Sequence, residues 1–147
     1  FTINMEHLIG ENFLRGVETI DLEELLQTKE FIGIYFGAHW CPPCRTFTNV
    51  LKNTYDNINS EEKLFEIIFV SFDGNEAAFE RNYMDMPWLA VGYGDSRNKV
   101  FKQQFGVTGI PTLVILNKSG EIVTYDGRAD VQSMRDEAIE EWRSIQL

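Results

Sequence analysis

Cys41 and Cys44 are the only two cysteines of a 147-residue chain, and they sit in His39-Trp40-Cys41-Pro42-Pro43-Cys44-Arg45. A pair at that spacing can close a small disulfide, supply two ligands to a metal, or cycle between dithiol and disulfide. A zinc site needs two further ligands, yet only His7 and His39 are on hand and no second CxxC exists. An inert staple gains little, because so short a loop removes little entropy from the unfolded chain. Redox cycling is the leading reading, and the elements around the pair decide its merit.

Those elements are legible as patterns. Phe31-Ile32-Gly33-Ile34-Tyr35-Phe36 is an unbroken apolar run, suited to a strand buried on both faces. Gly37-Ala38 ends it. From Pro42 onward, Phe47, Val50, Leu51, Thr54, Tyr55 and Ile58 recur with helical spacing. If that helix starts near Pro42, Cys41 lies at its N-terminal end, where free N–H groups and the macrodipole favour a thiolate. Pro42 and Pro43 are tolerated there because their missing N–H groups have no helical partner. Arg45 adds positive charge one turn on. Cys41 and Cys44 then share a helical face, placing Cys41 to attack a substrate disulfide and Cys44 to resolve the mixed disulfide.

The rest of the chain supplies a scaffold. Residues 1–13 show no period and read as an arm, leaving 14–147 as one domain. Leu14 to Ile20 reads as an edge strand, and Asp21 as the cap of a short helix with Leu22, Leu25 and Leu26 on its apolar face. Phe65 to Phe72 is a second buried strand. Asn75 caps a helix closed by Pro87, and Ser96 caps another carrying Val100, Phe101 and Phe105. Thr112 to Leu116 and Glu121 to Tyr125 form a hairpin about Asn117-Lys118-Ser119-Gly120, which is also how the glycosylation sequon there is read. Asp130 is expected to cap a terminal helix reaching Ile145. Alternating strands and helices with a hairpin late in the chain imply an α/β fold, a mixed central sheet with helices on both faces. Ile110-Pro111 precedes a strand. A cis bond there would leave the Ile110 backbone free to pair with an extended substrate; an ordinary strand-initiating proline is the alternative.

Composition narrows the partners. A net charge of -10 with scattered Arg and Lys argues against nucleic acid and anionic lipid. Eleven Phe, five Tyr and three Trp argue against disorder. No apolar run reaches the length of a membrane span. A lone thiol pair suits a reducing compartment, so the chain is read as cytoplasmic, with the nucleus as alternative, and as a monomer.

Over roughly residues 14–130 the chain resembles the thioredoxin superfamily, in its tryparedoxin and nucleoredoxin branch. The stretches that carry this are residues 34–48, Phe69-Val70-Ser71-Phe72-Asp73, Met86-Pro87-Trp88-Leu89-Ala90-Val91 and Gly109-Ile110-Pro111-Thr112-Leu113. The resemblance implies a thioredoxin fold, a nucleophilic Cys41, a resolving Cys44, a cis Pro111 and Trp40 as a lid over the disulfide. It also implies that Arg128 meets the acidic end of a reductant, against a plain reading as a solvated charge. Trp40, Phe72, Trp88 and Ile110 would form an apolar surround for partners, core packing being the equal alternative for these aromatics, and Trp88, after Pro87, is read as partly exposed. Thioredoxins carry a buried Asp where Tyr35 stands, so Cys44 loses its proton to water or another group, or Tyr35 contributes a hydrogen bond. Tryparedoxins usually have Trp at the position of Phe72 and an acid at that of Gly74, which puts a trypanothione-type reductant in doubt. The expected activity is protein-disulfide reduction without organic cofactor or metal, drawing on an upstream dithiol or reductase and serving partners such as peroxiredoxins. The rival is a nucleoredoxin-like module whose binding is gated by the dithiol state.

Overall fold

The computed structural model describes residues 12–16 and 18–145. His7 and most of the expected N-terminal arm lie outside the described residues. Seven strands form one mixed sheet. In chain order they are β1 (Asn12–Arg15), β2 (Glu18–Asp21), β3 (Phe31–Gly37), β4 (Phe65–Ser71), β5 (Leu89–Ala90), β6 (Thr112–Asn117) and β7 (Ile122–Thr124). Across the sheet the order is β2-β1-β5-β4-β3-β6-β7. β3 lies at the heart, parallel to β4 and antiparallel to β6. All seven residues of β3, and all seven of β4, are buried, as the apolar run of β3 requires and as that of β4 does apart from Glu66 and Ser71.

Pleating divides β3 between two cores. Phe31 and Tyr35 face a layer built by helices α2 (Pro42–Ile58), α3 (Glu76–Tyr83), α5 (Gly127–Met134) and α6 (Ala138–Ile145). Ile32, Ile34 and Phe36 face the other layer, which holds Leu25 of α1 (Leu22–Leu26) and Phe101 of α4 (Arg97–Gln104). The side chains of Leu22 and Leu26 lie outside the described ones. Helices thus cover both faces of a mixed sheet. Among the described residues no helix is long and apolar enough to cross a membrane.

Four local expectations change. The single edge strand over Leu14 to Ile20 is a hairpin instead, turning at Gly16 with a positive φ of 61°. Its first strand starts at Asn12, buries Phe13, and is no edge, since β5 pairs with it. β5 itself is two residues long, too short to stand out as a periodic run.

Ser96 makes no side-chain cap; the Asp95 carboxylate accepts the Arg97 N–H at 2.9 Å and pairs with the guanidinium as well. Asp130 is not the terminal cap either. The helix starts three residues earlier, at Gly127, and breaks at Arg135, whose φ is +54°. Asp130 instead accepts the indole N–H of Trp142 at 3.0 Å. The break lets α6 turn back and set Trp142 edge-on to Phe31.

Candidate redox site

The site forms where β3 runs out. Its last residue, Gly37, has the Tyr35 hydroxyl 3.0 Å from where a Cβ would stand, so a larger side chain would press on that ring. Ala38 to Trp40 then turn the chain into α2. Cys41 is the N-cap, with extended backbone at φ -97° and ψ 107°, and Pro42 and Pro43 occupy the first two helical positions. The Cys41 carbonyl accepts from the N–H groups of Cys44 and Arg45 at 3.0 and 3.2 Å. Cys41 therefore sits at the positive end of a 17-residue helix.

Both cysteines are free thiols, Cys41 5% and Cys44 2% exposed. Ala38, Phe72 and Ile110 pack around them. The Ile110–Pro111 bond is cis, and the Ile110 carbonyl oxygen lies 4.0 Å from Cys41 Sγ. Burial pushes the Cys44 thiol up to about 12, helped by its hydrogen bond to the Cys41 sulfur and by repulsion from that sulfur's charge. A backbone hydrogen bond at Ala38 and the Arg128 charge work against this rise. At neutral pH Cys44 keeps its proton.

The turn before Cys41 is held at several atoms. Asp73, 8% exposed, accepts the His39 backbone N–H at 2.8 Å. The same carboxylate accepts the Ser71 hydroxyl at 2.6 Å and the Asn82 amide at 3.3 Å. Arg45 donates to the His39 carbonyl oxygen, which leaves its charge at the helix start. Trp40 is 63% exposed, and its indole N–H reaches the Phe72 carbonyl at 3.3 Å. Trp40 thus stands beside Cys41 rather than inside the core.

Tyr35 donates to the backbone carbonyl of Cys44 at 3.1 Å and shares a 2.7 Å hydrogen bond with Thr48. Burial raises its pKa, so it stays a neutral donor. A hydrogen bond from Tyr35, left open by the sequence, is present, and it goes to the Cys44 carbonyl. Arg128 is the second residue of α5. Its Nε is buried without a hydrogen-bond partner among the described residues, and its charge bears on both Cys44 and Tyr35. Gly127 permits this approach, since a Cβ there would lie 2.7 Å from the Leu113 carbonyl oxygen.

One expected site residue is misplaced. Trp88 is fully buried, edge-on to Tyr35 and Tyr55, and cannot meet a partner. The reason is β5: Leu89 and Ala90 pair with both β4 and β1, which fixes the preceding indole beneath the sheet. Conversely, Asp73, Thr48 and Lys102 gained no role from sequence. Only Asp73 left a signal, as a polar residue two after Ser71 at the end of a buried strand. Among the described residues no group of three or more His, Cys, Asp or Glu is gathered where a metal could sit.

Comparison with known proteins agrees with this fold. A family model described as thioredoxin-like matches residues 29–122. Nucleoredoxin of Bos taurus is 46% identical over 106 residues, covering 71% of this chain and 24% of its own length. Nucleoredoxin of Danio rerio is 41% identical over 113 residues, 76% of this chain and 27% of its own length. The chain thus spans about a quarter of these relatives. Among solved structures, tryparedoxin II of C. fasciculata superposes with a TM-score of 0.83 at 32% identity, covering 90% of each chain. Tryparedoxin of Trypanosoma brucei gives 0.81 at 34%, covering 90% of this chain and 91% of its own.

Proposed function

The chain belongs to the thioredoxin-like family, and from that premise we propose that it is a protein-disulfide oxidoreductase with Cys41 as nucleophile and Cys44 as resolving thiol. One observation carries the reading. Cys41 caps the N-terminus of α2 beside the cis Ile110–Pro111 carbonyl, with the Cys44 thiol enclosed next to it.

The chemistry balances as two exchanges. The Cys41 sulfur attacks one sulfur of a substrate disulfide; the Cys41–substrate bond forms, the substrate S–S bond breaks, and the departing sulfur takes up a proton. Cys44 then attacks Cys41, its proton passes to the second substrate sulfur, and the Cys41–Cys44 disulfide remains. Two electrons have moved to the substrate. The mixed disulfide also removes the Cys41 charge and hydrogen-bond acceptor that help hold the Cys44 thiol up, so resolution becomes easier once attack has occurred.

Oxidised proteins of the peroxiredoxin type are the proposed acceptors, and an upstream dithiol or reductase the donor, in a reducing compartment such as the cytoplasm. The test is reduction of a protein disulfide with dithiothreitol as donor. Wild type should accelerate it, Cys44→Ser should lose turnover and accumulate mixed disulfides through Cys41, and a wild type without activity would defeat the reading. The likeness to nucleoredoxin, 46% identical over 71% of this chain, favours a second reading as a redox-gated binding module. That reading requires partners to distinguish oxidised from reduced protein, and equal binding to both would end it.

A further inference from the structure

We propose that the rim of the redox pair is a docking surface for acidic protein segments, with Lys102 and Arg45 as its recognising cations. This rests on the oxidoreductase reading and names the kind of partner it serves. The chain carries 23 acidic against 13 basic residues, so an electropositive rim is not its average surface. Yet cations border the cysteines. The Lys102 ammonium, on α4, lies 4.0 Å from the centroid of the Phe72 ring, which itself packs against Cys41 and Cys44. Arg45 sits one turn into α2, holding the His39 carbonyl. Arg128 approaches from α5, near enough to bear on Cys44.

None of the three forms an ion pair among the described residues. The neighbouring carboxylates do not cancel them. Asp73 is turned inward on His39, Ser71 and Asn82, and Asp126, exposed before Gly127, is a single charge. Partial burial disfavours the Lys102 ammonium, and among the described residues no carboxylate offsets that cost. A partner's carboxylate would. Acids elsewhere on the molecule are screened beyond about 8 Å at physiological salt, so the local rim governs the final approach. Exposed Trp40 adds apolar contact beside it.

Two disulfide-bonded peptides that differ only in flanks of Glu or of Lys provide the test, each reduced by the reduced protein at physiological and at molar ionic strength. The Glu-flanked peptide should react about five- to tenfold faster at physiological salt, where the distant acids are screened, and the advantage should shrink at molar salt, where the rim is screened as well. Lys102→Glu should cut the ratio of the two rates at least about threefold, a ratio that cancels any common change in the chemistry. A ratio of one or below, or one that Lys102→Glu leaves alone, overturns the proposal. An uncharged small disulfide separates the two claims, because failure to reduce it strikes the oxidoreductase reading alone. In that event binding of the same peptides with serine for cysteine, followed by Trp40 fluorescence, decides the docking claim: tighter binding of the acidic peptide sustains it, and equal or weaker binding removes it.

Discussion

Replacing Asp73 probes whether the turn before Cys41 is positioned from outside the CPPC segment. Its carboxylate receives three donors: the His39 N–H at 2.8 Å, the Ser71 hydroxyl at 2.6 Å and the Asn82 amide at 3.3 Å. Asp73→Ala leaves all three without an acceptor at a site that is 8% exposed. Hydrogen bonds to a charged acceptor contribute about 1.5–3 kcal/mol each, and the 3.3 Å bond falls at the weak end. Because the bonds share one acceptor they do not add, and Asp73→Ala should cost about 2–4 kcal/mol. With a urea slope of about 1–3 kcal/mol per molar, the unfolding midpoint should fall by about 1–2 M. Asp73→Asn keeps an oxygen for His39 and should lose less than half as much. The local readout is Trp40, since Trp88 and Trp142 are fully buried and Trp40 alone is exposed among the three tryptophans. In Asp73→Ala, quenching of Trp40 and alkylation of Cys41 should both change in the native protein, and Asp73→Asn should restore most of each. A midpoint within about 0.3 M of wild type, or unchanged Trp40 quenching and Cys41 alkylation in Asp73→Ala, would refute the idea of a clamp.

Burial holds the Cys44 proton, so its alkylation in reduced protein should be slow at neutral pH and still climb about tenfold per unit between pH 8 and 10, because its midpoint lies near 12. Cys41→Ala removes a hydrogen bond and a charge that raise this value, so the midpoint should move down; a midpoint below 9 in wild type contradicts the assignment. Glu66 is fully buried on β4, with Arg15 at 2.5 Å and the Tyr55 hydroxyl at 3.0 Å. Lys29, buried, lies 4.0 Å from the same carboxylate, so Glu66→Ala should cost about 3 kcal/mol, chiefly by leaving the Lys29 charge unmatched, and a loss under about 1 kcal/mol in urea unfolding would refute that account. Gly127→Ala brings a Cβ to 2.7 Å from the Leu113 carbonyl, which should cost about 1–3 kcal/mol and displace Arg128. An unchanged melting temperature would show that α5 shifts at no cost.

Legibility followed locality. The runs over Phe31 to Phe36 and Phe65 to Phe72 declared buried strands, because a strand covered on both faces needs no polar alternation. Asp21 and Asn75 were readable as caps, since a cap acts within three residues, and each accepts the expected N–H at 2.9 Å. Ser96 and Asp130 misled because a competing group changed the local choice: Asp95 for the first, and for the second the indole of Trp142, twelve residues on. Trp88 misled for a longer-range reason, its exposure being settled by the pairing of β5 between β1 and β4.

By itself, then, the sequence determined the reactive pair, the strand that leads to it and the helix that follows, because a CxxC at a helix start is written within a few consecutive residues. Tertiary structure alone decided what stands around that pair. Asp73 meets His39 across 34 positions, the Ile110 carbonyl meets Cys41 across 69, and Lys102 meets Phe72 from another helix. Contacts between such distant residues depend on strand order and register, which a hydrophobic period does not encode. The enclosure that keeps the proton on Cys44 arises in the same way, from side chains that meet only once the sheet has closed against α2.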